Sequence, residues 1–245
     1  MSLNLTIDQG NSAAKVALWD DGELLDQIVE PTITCAHMKR FLAPYGRPAN
    51  AMLCSVSAKE SRLTDIIAKY ADNVSRLTNS TPLPITIDYR TPSTLGTDRI
   101  AAAVGAWASF AGQPLLVVDA GTAVTYDAVT ADGHFVGGNI APGMRMRLDA
   151  LHRYTARLPL VEVPRTIAYD TFLGFDTPSA MILGAVYGIV GAISYYRAHL
   201  PAGTHTVLSG GWAQELSKLI DFDVTVDTDL VSRGLNRIIT YNEHK

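Results

Sequence analysis

The sequence predicts an α/β protein built as two related halves, each opening on an antiparallel meander and continuing in alternating helices and strands. Three observations carry this expectation. The apolar run 3–7 ends in Asp8-Gln9-Gly10, and the apolar run 115–118 ends in Asp119-Ala120-Gly121, so one pattern occurs twice. Asp21 stands thirteen positions after Asp8, and Asp132 thirteen positions after Asp119. Each copy then closes on an Asp-Gly pair, Asp21-Gly22 and Asp132-Gly133, a hairpin signal because few other pairs tolerate the positive φ of the tightest turns.

The elements follow in order. Residues 13–19 and 123–129 form the second strand of each meander, and residues 23–29 and 134–140 the third. Residues 50–56 read as a buried strand. Ser57-Ala58-Lys59-Glu60 has the form of a capping box, and Leu63, Ile66, Ile67 and Tyr70 then share a helical face. Residues 101–110 form a helix of small residues, and Gly112-Gln113-Pro114 turns the chain into the second copy. The expected domains are therefore 1–112 and 113–245. A long apolar helix over 179–199 carries Gly184 and Gly188 four apart, a spacing that lets a neighbouring backbone approach. A strand ends in Ser209-Gly210-Gly211, and Leu230, Val231, Leu235, Ile238 and Ile239 mark a final amphipathic helix.

Composition bounds the function. Of 245 residues 47% are apolar and 18% charged, enough apolar material for real cores. A formal charge of −4 argues against nucleic acid as the partner, because that affinity comes from excess Lys and Arg. Residues 1–10 show no basic run before an apolar stretch, and the most apolar window, 181–193, is short for a bilayer and rich in glycine. No secretory signal and no membrane partner are expected. Cys35 and Cys54 lack metal-type spacing and read as two buried thiols in a reducing cytoplasm. The six histidines form no HExxH pattern, and no GxxxxGK[ST] motif occurs.

Three constellations carry candidate chemistry. In Asp8-Gln9-Gly10-Asn11-Ser12 a strand reverses through glycine, so successive amides can face an anion; Asn11 and Ser12 add donors, Lys15 a charge, and Asp8 a place for hydrated magnesium. Alone, the segment is equally a tight hairpin in which Asp8 bonds turn amides. The second loop, Asp119-Ala120-Gly121-Thr122, repeats the equipment without the lysine. Two such loops would clamp a polyphosphate and its cation, which is what phosphoryl transfer requires. Gly210-Gly211 either leaves room for an adenosine ring or forms a helix-entry turn. In the segment from Tyr89 to Arg99, the amides near Gly96, Thr97 and Asp98 open a helix and suit an anionic group. Arg99 could grip a carboxylate and Asp98 could accept a hydroxyl proton; the alternative is an Asp N-cap with a surface arginine.

Taken together and in order, these motifs resemble type III pantothenate kinases: Asp8-x-Gly10-Asn11-Ser12, Tyr89-x-x-Pro92, Leu95-Gly96-x-Asp98-Arg99, Asp119-x-Gly121-Thr122-Ala123-x-Thr125-x-Asp127, Gly137-Gly138-x-Ile140-x-Pro142-Gly143, Thr155-Ala156-x-Leu158-Pro159, Gly174-x-x-Thr177 and Ser209-Gly210-Gly211. Ser12 stands where the family more often has threonine. The resemblance implies the acetate-and-sugar-kinase/actin fold, two duplicated ribonuclease-H-like domains of mixed sheets flanked by helices. It implies transfer of the ATP γ-phosphoryl group to the 4′-hydroxyl of pantothenate, the first step toward coenzyme A. By that resemblance Asp98 is the proton acceptor, and Tyr89, Gly96, Thr97, Asp98, Arg99 and Thr177 bind pantothenate. Asp8, Gln9, Gly10, Asn11, Ser12, Ala13, Ala14, Lys15 and Thr122 hold ATP, while Asp119 ligates potassium or ammonium and magnesium accompanies the nucleotide. A homodimer in the cytoplasm is implied. A different small-molecule kinase on this fold, or a non-catalytic relative, would share the loops but not the whole set.

Overall fold

The structure, a computed structural model, describes residues 3–10, 12–55 and 60–243, with only the backbone of Glu60 and Ser61. Asn11 and the expected capping box at 57–59 lie outside the described residues, as does Val56 at the end of the expected strand. The chain divides into two compact units.

The first unit comprises residues 1–111, 133–135 and 229–245. Its meander is β1 (Leu3–Gln9), β2 (Ala14–Asp20) and β3 (Glu23–Glu30), followed by helix α1 (Cys35–Leu42), which the sequence reading did not foresee. Strand β4 (Asn50–Ser55) lies parallel to β1, and after α2 (Glu60–Ile67) strand β5 (Asn73–Arg76) lies parallel to β4. The resulting sheet has the order β3-β2-β1-β4-β5. The β2–β3 turn has φ +42° at Asp21 and +88° at Gly22, the two positive angles expected of a two-residue hairpin. Inward residues of β1, β2 and β4 pack with Met38, Phe41 and Leu42 of α1 and with Leu63, Ile66 and Ile67 of α2. Tyr70 falls in the turn after α2 and bonds the Cys35 carbonyl at 2.8 Å. Short strand β6 (Thr86–Ile87) leads to a 3₁₀ turn at Pro92–Thr94 and then to α3 (Thr97–Ser109).

The second unit comprises residues 112–132 and 136–228. Strands β7 (Leu115–Ala120), β8 (Ala123–Val129) and β9 (His134–Pro142) repeat the meander, although only Gly133, at φ +85°, is left-handed in its β8–β9 turn. The first two residues of β9 belong to the first unit and pair with β6. Helices α4 (Met144–Tyr154) and α5 (Thr177–His199) follow, then β10 (His205–Ser209), α6 (Ala213–Ser217) and β11 (Val224–Val226). Strand β10 lies parallel to β7, and β11 parallel to β10. Helix α5 is longer than the apolar window suggested and is, by length and composition, able to cross a membrane; half of its most apolar stretch is buried inside the structure. Val186, Ile189 and Ile193 are fully buried against β7, β8 and α4, the behaviour of a core helix.

The last element, α7 (Leu230–Glu243), departs from the expected division. Residues 113–245 were assigned to the second half, but α7 groups with the first. The reason is a close helix crossing. A Cβ on Gly234 would lie 1.8 Å from the Ala101 carbonyl oxygen, and one on Gly105 would lie 2.3 Å from that of Leu230. Only glycine on both helices permits this approach, and the small residues of α3 (Ala101, Ala102, Ala103, Ala106) widen the seat. The close approach expected at Gly184 and Gly188 is not found: nothing lies near Gly184, and Gly188 faces the flexible tip of Arg147. Cys54 is buried as expected, whereas Cys35 is only half-buried.

Gly234→Ala is expected to destabilise the protein by at least roughly 1–3 kcal/mol, the range of overpacking a tight interior. Urea denaturation of the variant and the parent measures it.

Candidate active site

In the first unit the candidate residues gather at one end of the sheet and at the start of α3. Asp8 is the penultimate residue of β1, paired in register with Lys15 on β2 and Cys54 on β4. Between the strands Gly10 N–H donates to the Ala13 carbonyl at 3.0 Å, and the Gln9 side chain bonds the Gly10 carbonyl at 2.8 Å. Ser12 is exposed, while Ala14 is fully buried. Lys15 is held by a carboxylate: its Nζ lies 2.9 Å from Asp229 Oδ1, both side chains being largely buried. Asp229 immediately precedes α7, so the α3–α7 crossing also fixes the partner of this lysine.

Helix α3 is capped by Gly96, with Asp98 in its first turn. This removes the reading of Asp98 as the N-cap. Its Oδ1 accepts from the Arg99 amide at 2.9 Å, and a Cβ on Gly96 would lie 2.4 Å from that same oxygen. Gly96 therefore clears the space in which the Asp98 carboxylate lies over the helix N-terminus, where the macrodipole favours negative charge. Thr97 accepts a hydrogen bond from Cys54 Sγ at 3.3 Å.

Arg99 is not a surface arginine. It is 6% exposed, and its guanidinium lies 5.8 Å from the Tyr89 ring centroid and 5.7 Å from that of Phe135. The rings meet edge to face at 6.1 Å, so the guanidinium is oriented by two aromatic neighbours before any ligand arrives. Phe135 is a fully buried residue that sequence reading missed; it arrives through the pairing of β9 with β6, which Asp88 reinforces by bonding His134 at 2.7 Å. Asn79 was also missed: its side-chain amide bonds the Pro92 and Leu95 carbonyls at 2.6 and 2.9 Å and secures the turn before α3.

In the second unit the loop after β7 repeats the first. Asp119 is the penultimate residue of its strand, and Gly121 N–H donates to the Ala123 carbonyl at 3.0 Å. Thr122 is exposed at its tip. Two distant glycines hold the loop. A Cβ on Gly143 would lie 2.4 Å from the carbonyl oxygens of Gly121 and Thr122, and one on Gly210 would lie 2.5 Å from Asp119 Oδ1. Gly210 also has φ +86°, and the Trp212 amide bonds the Ala120 carbonyl at 3.2 Å. So Gly210 serves the carboxylate of Asp119, and Gly211, with nothing near it, opens onto free space. Asp127 is 1% exposed, inside the unit. Thr177 is exposed as the first residue of α5, behind the N-cap Asp176. The Ser179 hydroxyl and amide hold the Asp176 carboxyl below its ordinary pKa. Gly174 is required there too, since its Cβ would meet the Ala180 backbone at 2.3 Å.

Residues 4–199 match the family model for type III pantothenate kinase. The chain is 37% identical over 245 residues to the type III pantothenate kinase of Porphyromonas gingivalis strain W83, covering 99% of this chain and 100% of that one. It is 37% identical over 246 residues to that of Phocaeicola vulgatus, covering 98% and 99%. The chain belongs to the type III pantothenate kinase family. Among solved structures it is similar to a conserved Baf-family protein of Campylobacter jejuni described as a transcriptional activator, with TM-score 0.65, 22% identity and coverage of 98% and 100%. It is also similar to the activator of 2-hydroxyisocaproyl-CoA dehydratase from Clostridium difficile with bound ADPNP, with TM-score 0.53, 9% identity and coverage of 100% and 97%. These structures bear on the fold alone, which is the actin-like ATPase architecture of mixed sheets flanked by helices. As a type III pantothenate kinase the chain is a phosphotransferase acting on pantothenate in coenzyme A biosynthesis, with ATP as the phosphoryl donor.

Gly96→Ala should reduce turnover of pantothenate by at least roughly tenfold, because the added methyl displaces a carboxylate from its place over the helix. Steady-state kinetics with an unchanged thermal midpoint would tie that loss to Asp98 rather than to folding.

Proposed function

We propose that Asp98 is the proton acceptor for the 4′-hydroxyl of pantothenate and that Arg99 anchors its carboxylate. One observation carries this reading: an Asp held over a helix N-terminus by Gly96 stands next to a buried Arg whose guanidinium is already oriented by Tyr89 and Phe135. In the proposed step the hydroxyl proton passes to Asp98 and the hydroxyl oxygen forms a bond to the γ-phosphorus. The bond from that phosphorus to the β,γ-bridging oxygen breaks, and ADP leaves with the electron pair. Tyr89, Gly96, Thr97 and Thr177 complete the pantothenate assignment. Residues 8–15 and Thr122 are assigned to ATP, whose phosphates suit the amides of glycine turns.

The cations are a finer proposal. Asp119 is assigned to a potassium or ammonium ion, and magnesium to the nucleotide phosphates. The fit rests on chemistry present in the chain: Asp119 offers hard oxygen donors, and Gly210 packs so closely that a Cβ there would lie 2.5 Å from its Oδ1, which fixes where that oxygen sits. Such cations supply neutralisation of phosphate charge; the residues themselves only hold and orient. We further assign the protein to the cytoplasm, in keeping with its two free cysteines. A homodimer is proposed through the second unit, where Phe172, Leu173 and Phe175 are 71%, 66% and 74% exposed just ahead of Thr177.

A coupled assay of ADP release tests the chemistry. Asp98→Asn should lower kcat by roughly 10²–10⁴-fold, the span of general-base catalysis, with pantothenate binding retained in calorimetry. Turnover should depend on potassium or ammonium and fall when sodium replaces them. Robust turnover of other hydroxy acids with none of pantothenate would overturn the assignment.

Sedimentation should give a dimer for the wild type and a monomer for Phe175→Asp; a monomeric wild type refutes the homodimer.

A further inference from the structure

A cavity of about 320 Å³ lies in the first unit between the β2–β3 turn, the C-terminal end of α3 and one face of α7. Its lining includes Asp21, Ser109, Arg233, Asn236, Arg237 and Thr240. Asp98 and Ser109 stand at opposite ends of α3, roughly 16 Å apart along the helix at 1.5 Å per residue. The cavity is therefore separate from the Asp98–Arg99 site.

The polarity of this cavity is set from the C-terminal end of α7. Glu243 is acceptor-only when ionised, so Asn50 must turn its amide nitrogen toward it. The same nitrogen donates to Asn4 Oδ1 at 3.2 Å, which leaves the Asn4 nitrogen to donate to Asn236 Oδ1 at 2.9 Å. Asn236 is 4% exposed, and its acceptor is consumed. What it has left for the cavity is an amide NH₂ that has no partner among the described residues. A carboxylate three residues down the ladder thus dictates a donor here.

Two guanidiniums join that donor, one helical turn apart on α7. Arg233 rests on the Trp19 ring at 5.6 Å, and that ring is fixed by its own hydrogen bond to Thr6 Oγ1 at 2.8 Å. The Arg237 guanidinium is half-buried and makes no hydrogen bond, ion pair or ring contact among the described residues. Against them stands one carboxylate on the lining, the exposed Asp21. Ser109 and Thr240 donate their hydroxyl protons to the Gly105 and Asn236 carbonyls, both at 3.1 Å, and so present lone pairs.

We propose that this cavity is a binding site for a small hydroxylated phosphate ester. Arg237 and Asn236 meet the phosphate oxygens, with the charge of Arg233 one turn away, and Ser109 and Thr240 accept from ligand hydroxyls. The volume exceeds that of a bare anion and reaches the lower end of small-molecule sites, which favours an ester over free phosphate.

Calorimetry with glycerol 3-phosphate tests this, run with a non-hydrolysable ATP analogue at saturation so that the nucleotide loops are filled. The expected result is one saturable site per chain, bound more tightly than inorganic phosphate or glycerate. Arg237→Gln should weaken it by roughly tenfold or more, the loss of a charge-assisted hydrogen bond, and Arg237→Lys should fall between. Asn236→Asp keeps the acceptor for Asn4 but replaces the donor, and should abolish binding. Kinase turnover should be unchanged in Arg237→Gln. Equal affinity in wild type and Arg237→Gln, or no saturable binding up to about 10 mM, a binding energy below roughly 3 kcal/mol, overturns the proposal.

Discussion

The backbone-to-backbone crossing of α3 and α7 is the constraint on which the first unit depends. Two glycines, Gly105 and Gly234, let the helices meet where any Cβ would collide with a carbonyl. Interiors packed to crystal density transmit such contacts rigidly, so the crossing fixes more than the two helices. It anchors the helix whose first turn carries Asp98 and Arg99. It also brings Asp229 to Lys15, Asn236 to Asn4 and Arg233 to Trp19. A segment from the end of the chain thereby completes a unit begun by residues near its start.

The same device recurs at the second loop. Gly143 and Gly210 are far from Asp119 in sequence, yet each lies against the Asp119–Thr122 segment so closely that a methyl group would displace it. Three of the motif glycines serve in two different ways. Gly210 combines a positive φ with close approach, whereas Gly96 and Gly143 have ordinary φ angles and serve only by lacking a side chain. Beside them, Arg99 is a buried cation whose guanidinium has the rings of Tyr89 and Phe135 as neighbours.

Much of this was legible in the sequence, because local chemistry repeats locally. The two Asp-x-Gly loops, the meanders that carry them and the small-residue helix all follow from alternation, turn residues and spacing, which act over a few residues. The thirteen-residue offset survived although the two copies divide it differently: four residues separate β1 from β2, while two separate β7 from β8. The choice of pantothenate came from the family resemblance that the ordered motifs carry, since no single spacing encodes it. The short elements α1, β5, β6, α6 and β11 were missed because none is long enough for a periodic pattern to stand out, and the longer α4 was not foreseen either.

By itself the sequence determined the α/β class, the duplication and the two glycine loops, all of which are written in contiguous residues. Tertiary structure alone decided that residues 229–243 complete the first unit rather than the second, that Phe135 rather than solvent faces Arg99, and that Lys15 has Asp229 as its partner. It also decided that the amide of Asn236 is a donor, through a ladder running Glu243, Asn50, Asn4. The physical reason is the same in each case. These arrangements depend on steric room and hydrogen-bond polarity between residues tens to hundreds of positions apart, and neither leaves a periodic trace along the chain.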